Sequence, residues 1–253
     1  MECKNCGQNL AENDQFCGRC GQKVIMERLS LKNLLSNLIQ LITNLERGLF
    51  YTVKELTLRP YSVINQFISG KTKPFYGPLR FLILWVTLAV VVNISLGLYD
   101  QQQATMTDFF LQQEDQDVIA RQKKISDFFK KYANIIPLLI VPFTSLMSSL
   151  LLKKRSFNYA EHLVMNAYLA GFTSILGVIY LLFFWVFSIP VFEGLFFTTF
   201  INYGYYSWAY KKIFSYHLLS TLFRTALILF LGFLMFSIFS GGVGVIVILL
   251  FFS

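Results

Sequence analysis

The chain has 253 residues, 55% hydrophobic, 17% aromatic and only 14% charged, with a formal net charge of +8. Soluble domains carry about 25% charged residues. This composition therefore excludes an ordinary water-soluble enzyme or regulatory domain and points to a protein that lives in lipid.

The N-terminus is the polar exception. The only four cysteines form two knuckles, Cys3-x2-Cys6 and Cys17-x2-Cys20, with ten residues between them. Two residues between cysteines let both sulfurs reach one ion. Gly7, Gly18 and Gly21 let the backbone turn toward the thiolates. Four thiolates suit tetrahedral zinc. Residues 1–22 are too short to build a hydrophobic core, so metal binding must supply their folding energy. The competing readings are two structural disulfides or a thioredoxin-like redox pair. The latter needs a βαβ context that is absent here. Four protein ligands leave no open position, so the site is expected to be structural, in a reducing compartment.

Residues 23–78 read as a basic, amphipathic juxtamembrane region. Ser30 is an N-cap candidate, and Leu31, Leu34, Leu35, Leu38, Ile39, Ile42 and Leu45 recur at helical spacing. A second stretch runs from Leu49 to Leu58. Pro60, Gly70, Pro74, Gly77 and Pro78 interrupt the chain beyond it. Short helices are expected here, lying on the inner leaflet or folded beneath the spans. From Gly21 to Arg80, nine basic residues face only Glu27, Glu46 and Glu55. Attraction to anionic lipid accounts for this excess. Nucleic-acid binding is disfavoured, because the charge is spread among leucines.

Five apolar runs come next, near 79–98, 135–152, 163–187, 191–209 and 221–250. The first four are near the roughly 20 helical residues that cross a bilayer core, and the last apolar stretch, too long for one upright span and too short for two, is read as one tilted helix. Residues 79–253 are thus expected to form a five-helix transmembrane bundle, with Ile213 to Ser220 an interfacial lead-in. The first run is expected to serve as the insertion signal, since no cleavable signal peptide is recognisable. Lys153, Lys154, Arg155, Lys211 and Lys212 mark the second and fourth loops as cytoplasmic. Loop 99–134 is nearly neutral and fits the outside, with a polar helix candidate from Thr107 to Tyr132. The layout is N-terminus in, C-terminus out. Tyr203, Tyr205, Tyr206, Trp208 and Tyr210 read as an aromatic belt at the inner interface.

Ionisable and polar residues inside spans carry the most information. Arg80, Glu161, His162, Asn166, Asn202, His217 and Arg224 all fall at the inner-leaflet level if the spans alternate. Three readings compete. They form a cytoplasm-facing pocket for a lipid head group, ion or proton; or they are interhelical glue, with Glu161 paired to Arg224 or Arg80; or the long side chains snorkel to water. Glu161, His162 and His217 offer metal ligands, but not in HExxH spacing. Glu193 stands alone near the outer end of the fourth run.

The order of certain segments is distinctive. Cys3-Lys-Asn-Cys-Gly and Phe16-Cys-Gly-Arg-Cys-Gly-Gln22 are followed by Glu46-Arg-Gly-Leu-Phe-Tyr-Thr-Val-Lys-Glu-Leu56 and Arg59-Pro60. Then come Ile68-Ser-Gly-Lys71, Tyr76-Gly-Pro-Leu-Arg-Phe81 and Tyr159-Ala-Glu-His-Leu163. This combination resembles a family of bacterial inner-membrane proteins known only as a domain of unknown function. Its members carry a short zinc ribbon, a basic juxtamembrane region and a multi-span domain. The resemblance implies a bacterial inner-membrane location and brings no activity. The five-span, N-in layout is also similar to Yip-type membrane proteins, which act in trafficking and organisation.

The sequence thus reads as an all-α integral membrane protein with an N-terminal zinc ribbon. Its expected role is an accessory or scaffolding subunit, docking other inner-membrane proteins through the ribbon, among membrane lipids and compatible with homo-oligomers. The alternative is a lipid- or small-solute-handling protein that uses the polar cluster. An intramembrane enzyme ranks third.

Overall fold

The computed structural model describes residues 2–11, 14–24, 48–98, 101, 135–153, 157–189 and 191–251. The leucine stripe of 31–45 and the polar helix candidate of 107–132 lie outside the described residues. Seven helices make up the described chain: α1 (Leu49–Leu58), α2 (Pro60–Ile68), α3 (Pro78–Ser95), α4 (Ile136–Leu151), α5 (Tyr159–Phe187), α6 (Val191–Phe214) and α7 (Leu218–Phe251). There is no strand among the described residues, only two isolated bridges near the cysteines.

Local chemistry sets the helix starts. Pro60 and Pro78 occupy the first helical position of α2 and α3, where a missing N–H costs nothing. α5 opens on a capping box. Its Asn158 side chain accepts from the Glu161 backbone N–H at 2.9 Å, and the Glu161 carboxylate accepts from Asn158 N–H at 2.7 Å. The helix therefore begins at Tyr159, four residues before the expected start of the third run. α6 continues past residue 209 to Phe214, and Ser215, at φ 51°, breaks the chain before α7.

α5 is the hub. It packs most extensively on α3, and also touches α4, α6, α2 and α1, while α7 lies against α4 and α6. Gly171 of α5 permits the closest approach. A Cβ there would lie 2.6 Å from Cδ1 of Phe81 and 3.2 Å from Cα of Leu82. Gly232 plays the same part between α7 and α4, against Thr144.

Among the described residues, three helical segments are long and apolar enough to cross a membrane: Pro78–Ser95, Tyr159–Phe187 and Leu218–Gly241. α4 is apolar but only 16 residues long. α6 has 24 residues, yet carries Glu193, Asn202, Lys211 and Lys212. Large apolar side chains such as Val91, Phe187, Phe200, Phe223 and Phe230 are exposed, a surface made for lipid tails.

The juxtamembrane helices do more than lie on a surface. Leu56, Val63 and Ile64 are fully buried, and Phe67 meets Tyr168 edge-on at 5.6 Å. The Tyr205 hydroxyl donates to the Leu56 carbonyl at 2.9 Å. Of the two placements expected from the sequence, α1 and α2 adopt the second: they are folded against α5 and α6.

Candidate metal centre and buried polar network

The cysteine module is a duplicated turn. Cys3 N–H donates to the Gln8 carbonyl and Gly7 N–H to the Cys3 carbonyl, each at 2.8 Å. Fourteen residues on, Cys17 N–H donates to the Gln22 carbonyl at 2.8 Å and Gly21 N–H to that of Cys17 at 2.7 Å. Gly7 and Gly21 hold φ of 72° and 64°, which turns following amides toward the sulfurs. The four Sγ atoms lie within 4.8 Å of one another. Cys3–Cys20 and Cys6–Cys17 are each 3.6 Å apart, and all four thiols are free. A tetrahedral ion with metal–sulfur bonds of about 2.3 Å needs sulfurs about 3.8 Å apart, so the residues present fit a metal. The Asn5 side chain and then the Gln22 N–H pull the Cys20 thiol down to about 6. The Cys6 and Asn5 amides lower that of Cys3. At Cys6 the Gln8 amide pulls downward, but lost hydration and the other thiols together push it up to about 12. Such a set favours thiolate when a cation shares it.

The module is seated on the rest of the protein. Gln22, only 3% exposed, reaches across to the turn before α3. Its Nε2 donates to the Gly70 carbonyl at 2.8 Å and to Thr72 Oγ1 at 3.0 Å, while Oε1 accepts from Lys73 N–H at 2.8 Å. Lys4 of the other knuckle lies over Gly70, where a Cβ would be 3.0 Å from its Cδ. The same turn is tied onward. Tyr76 N–H donates to Thr52 Oγ1 at 2.8 Å, and the Tyr168 hydroxyl donates to the Tyr76 carbonyl at 2.7 Å. Gly48, at φ 142°, faces Pro74, whose carbonyl would lie 2.9 Å from an added Cβ.

In the bundle, the structure assembles part of the expected cluster and adds two residues to it. The Tyr210 hydroxyl donates to Asn166 Oδ1 at 2.5 Å. Asn166 Nδ2 donates to Ser148 Oγ and to the His162 carbonyl, both at 2.9 Å. Ser148 Oγ also lies 3.0 Å from His162 Nδ1, and the imidazole stacks on Phe214. Ser148, His162, Asn166 and Tyr210 are no more than 1% exposed and come from α4, α5 and α6. Both Asn166 donors and its acceptor are occupied, the arrangement of interhelical glue.

The other expected members stand apart from that network. Arg224 Nη1 donates to the Leu151 carbonyl at the end of α4, its Nε donates to Ser220 Oγ at 3.2 Å, and its guanidinium covers the Tyr216 ring at 4.5 Å. Glu161 is not among these partners. Among the contacts described, the Glu161 carboxylate caps the start of α5 and the Arg224 guanidinium satisfies the end of α4, where the dipole favours a cation. His217 is exposed before α7, and its carbonyl accepts from Thr221. Asn202 Oδ1 is buried with no hydrogen-bond partner among the described residues, and Arg80 sits in the first turn of α3.

The aromatic belt is corrected as well. Tyr206 and Tyr210 are buried, and Tyr205 is half-buried against the same core. The hydroxyls of Tyr203, Tyr205 and Tyr210 are bonded to Leu222, Leu56 and Asn166 on other helices. Interfacial rings would leave those hydroxyls to water. Here Tyr203, Tyr206 and Tyr210 follow helical spacing, and Tyr205 stacks on Phe172 of α5 at 4.7 Å. Sequence reasoning missed Ser148 as a member of the network and gave Tyr210 the wrong role. The signal available for Ser148 was the run of hydroxyls at 144, 145 and 148, spaced to share one face of an apolar helix.

The described residues therefore define a class: a helical, membrane-type bundle carrying a four-cysteine module that can hold a metal ion. A family described as "Protein of unknown function (DUF3667)" matches residues 46–90. That stretch contains α1, α2, the turn that seats Gln22, and most of α3. No curated protein and no solved structure matches the chain.

Proposed function

We propose that the protein is a five-span subunit of a bacterial inner membrane, N-terminus in and C-terminus out, that organises other membrane proteins. Its cysteine module binds one zinc ion as a structural cofactor and forms the cytoplasmic docking head. The observation that carries this reading is the use of the polar groups. The four thiols converge on one point, whereas Ser148, His162, Asn166 and Tyr210 bond to one another. A bundle held together in this way supports a packing role for its interior and leaves the head to meet partners. α4 and α6 complete the five crossings in this reading.

The test is purification of the intact protein in mild detergent, with metal analysis and mass spectrometry of the co-purifying proteins and lipids. About one zinc per chain and a reproducible set of membrane proteins are expected, both lost in Cys17→Ser. Metal-free protein would remove the zinc reading. Bound lipid or solute without protein partners, unaffected by Cys17→Ser, would replace the scaffold with a lipid- or solute-handling role.

A further inference from the structure

We propose that the cysteine module is a metal-dependent clasp, holding the Gly70–Lys73 turn through Gln22 and thereby seating α1 and α5. The clasp rests on the metal reading proposed for the module and extends it to the membrane domain.

Little in the module itself can hold it in shape. Among the described residues its buried apolar side chains are Cys3, Leu10 and Cys17, with Cys6, Cys20 and Val24 partly buried against them. So small a core cannot order the segment without a cross-link or an ion. The Gln22 backbone is part of the second knuckle, because its carbonyl accepts from Cys17 N–H at 2.8 Å. Whatever orders Cys17 and Cys20 therefore orders Gln22.

The Gln22 carboxamide then acts like a peptide group laid along the turn. Both its donors and its acceptor are used, on Gly70, Thr72 and Lys73. No charge is involved, so the contact depends on geometry and resists salt. From the turn, Tyr76 passes the constraint to Thr52 of α1 and to Tyr168 of α5. The chain of contacts runs from metal to knuckle, to Gln22, to the turn, and on to two helices. Gln8 supplies an internal control. It holds the same place in the first knuckle, bonded to Cys3 as Gln22 is to Cys17, but its side chain is exposed.

The test uses the full-length protein in lipid nanodiscs, with zinc content and amide hydrogen exchange measured on the same samples. In Gln22→Ala, zinc should stay at one per chain while residues 69–77 exchange about tenfold faster. Thr72→Val, which leaves the module untouched, should shift exchange in the same direction by less. Gln8→Ala should leave residues 69–77 as in the unaltered protein. Removing zinc with a chelator should reproduce the Gln22→Ala effect at 69–77 and add fast exchange within the module. Gln22→Ala and Thr72→Val that both keep zinc and leave 69–77 unchanged would overturn the clasp while leaving the metal reading intact. Unaltered protein purified without metal would instead overturn the metal reading, and the metal dependence of the clasp with it.

Discussion

Asn166 shows how a single side chain can join three helices. It accepts from Tyr210 and donates to Ser148 and to the His162 carbonyl. Replacing it with leucine strands the Tyr210 hydroxyl, at an expected cost of about 1–2 kcal/mol. Thermal unfolding in detergent should show that loss, and Asn166→Leu combined with Tyr210→Phe should lose less than the two separate losses added together. Strict additivity would mean that the hydrogen bond carries little. Glu161 and Arg224 should behave in the opposite way. They share no partner among the contacts described, so Glu161→Gln and Arg224→Gln should add to within about 0.5 kcal/mol. Exchanging the two charges should rescue nothing. Partial rescue by the exchange would restore the ion pair expected from the sequence. That expectation had a clear cause. An ionisable residue in an apolar run reads as a charge that needs an opposite charge. The Asn158-x-x-Glu161 spacing also spelled a capping box, and it is the cap that the structure displays.

At the scale of elements, sequence periodicity located the apolar runs well and their ends less well. α3 and α4 begin and end within three residues of the expected limits, because Pro78 and Pro137 mark their starts. α5 and α6 run longer than expected, since capping and tyrosine packing extend them beyond the apolar residues. The burial of α1 and α2 was only half legible. Their amphipathic pattern demands something apolar to lie on, and cannot distinguish lipid from protein. The most demanding contact lies between α3 and α5. Gly171→Leu must push Phe81 and Leu82 aside and should destabilise the bundle by about 1–3 kcal/mol. Gly177→Ala, where no described residue lies within 4 Å of an added Cβ, should be nearly silent in the same melting experiment.

For the whole molecule, the number of crossings decides which side of the membrane the C-terminus occupies. α6 is about 36 Å long at about 1.5 Å per residue, enough to cross despite its polar residues. A reporter fused near Lys154 should be active in the cytoplasm, and one fused after Ser253 outside. A cytoplasmic reporter signal at Ser253 would mean that α6 or α4 does not cross.

The contact between Tyr205 and Leu56 joins residues 149 apart in the chain, and that between Tyr168 and Tyr76 joins residues 92 apart. α1 and α2 leave the ribosome long before α5 and α6, the helices that bury them. Until those helices arrive, the apolar side chains of Leu56, Val63, Ile64 and Phe67 need another host, and the nearest is the membrane surface. The same face that ends inside protein would then begin its life on lipid. Completion of the fold must wait for the second half of the chain, so a nascent protein stalled before α6 would carry an apolar N-terminal face with nowhere permanent to go.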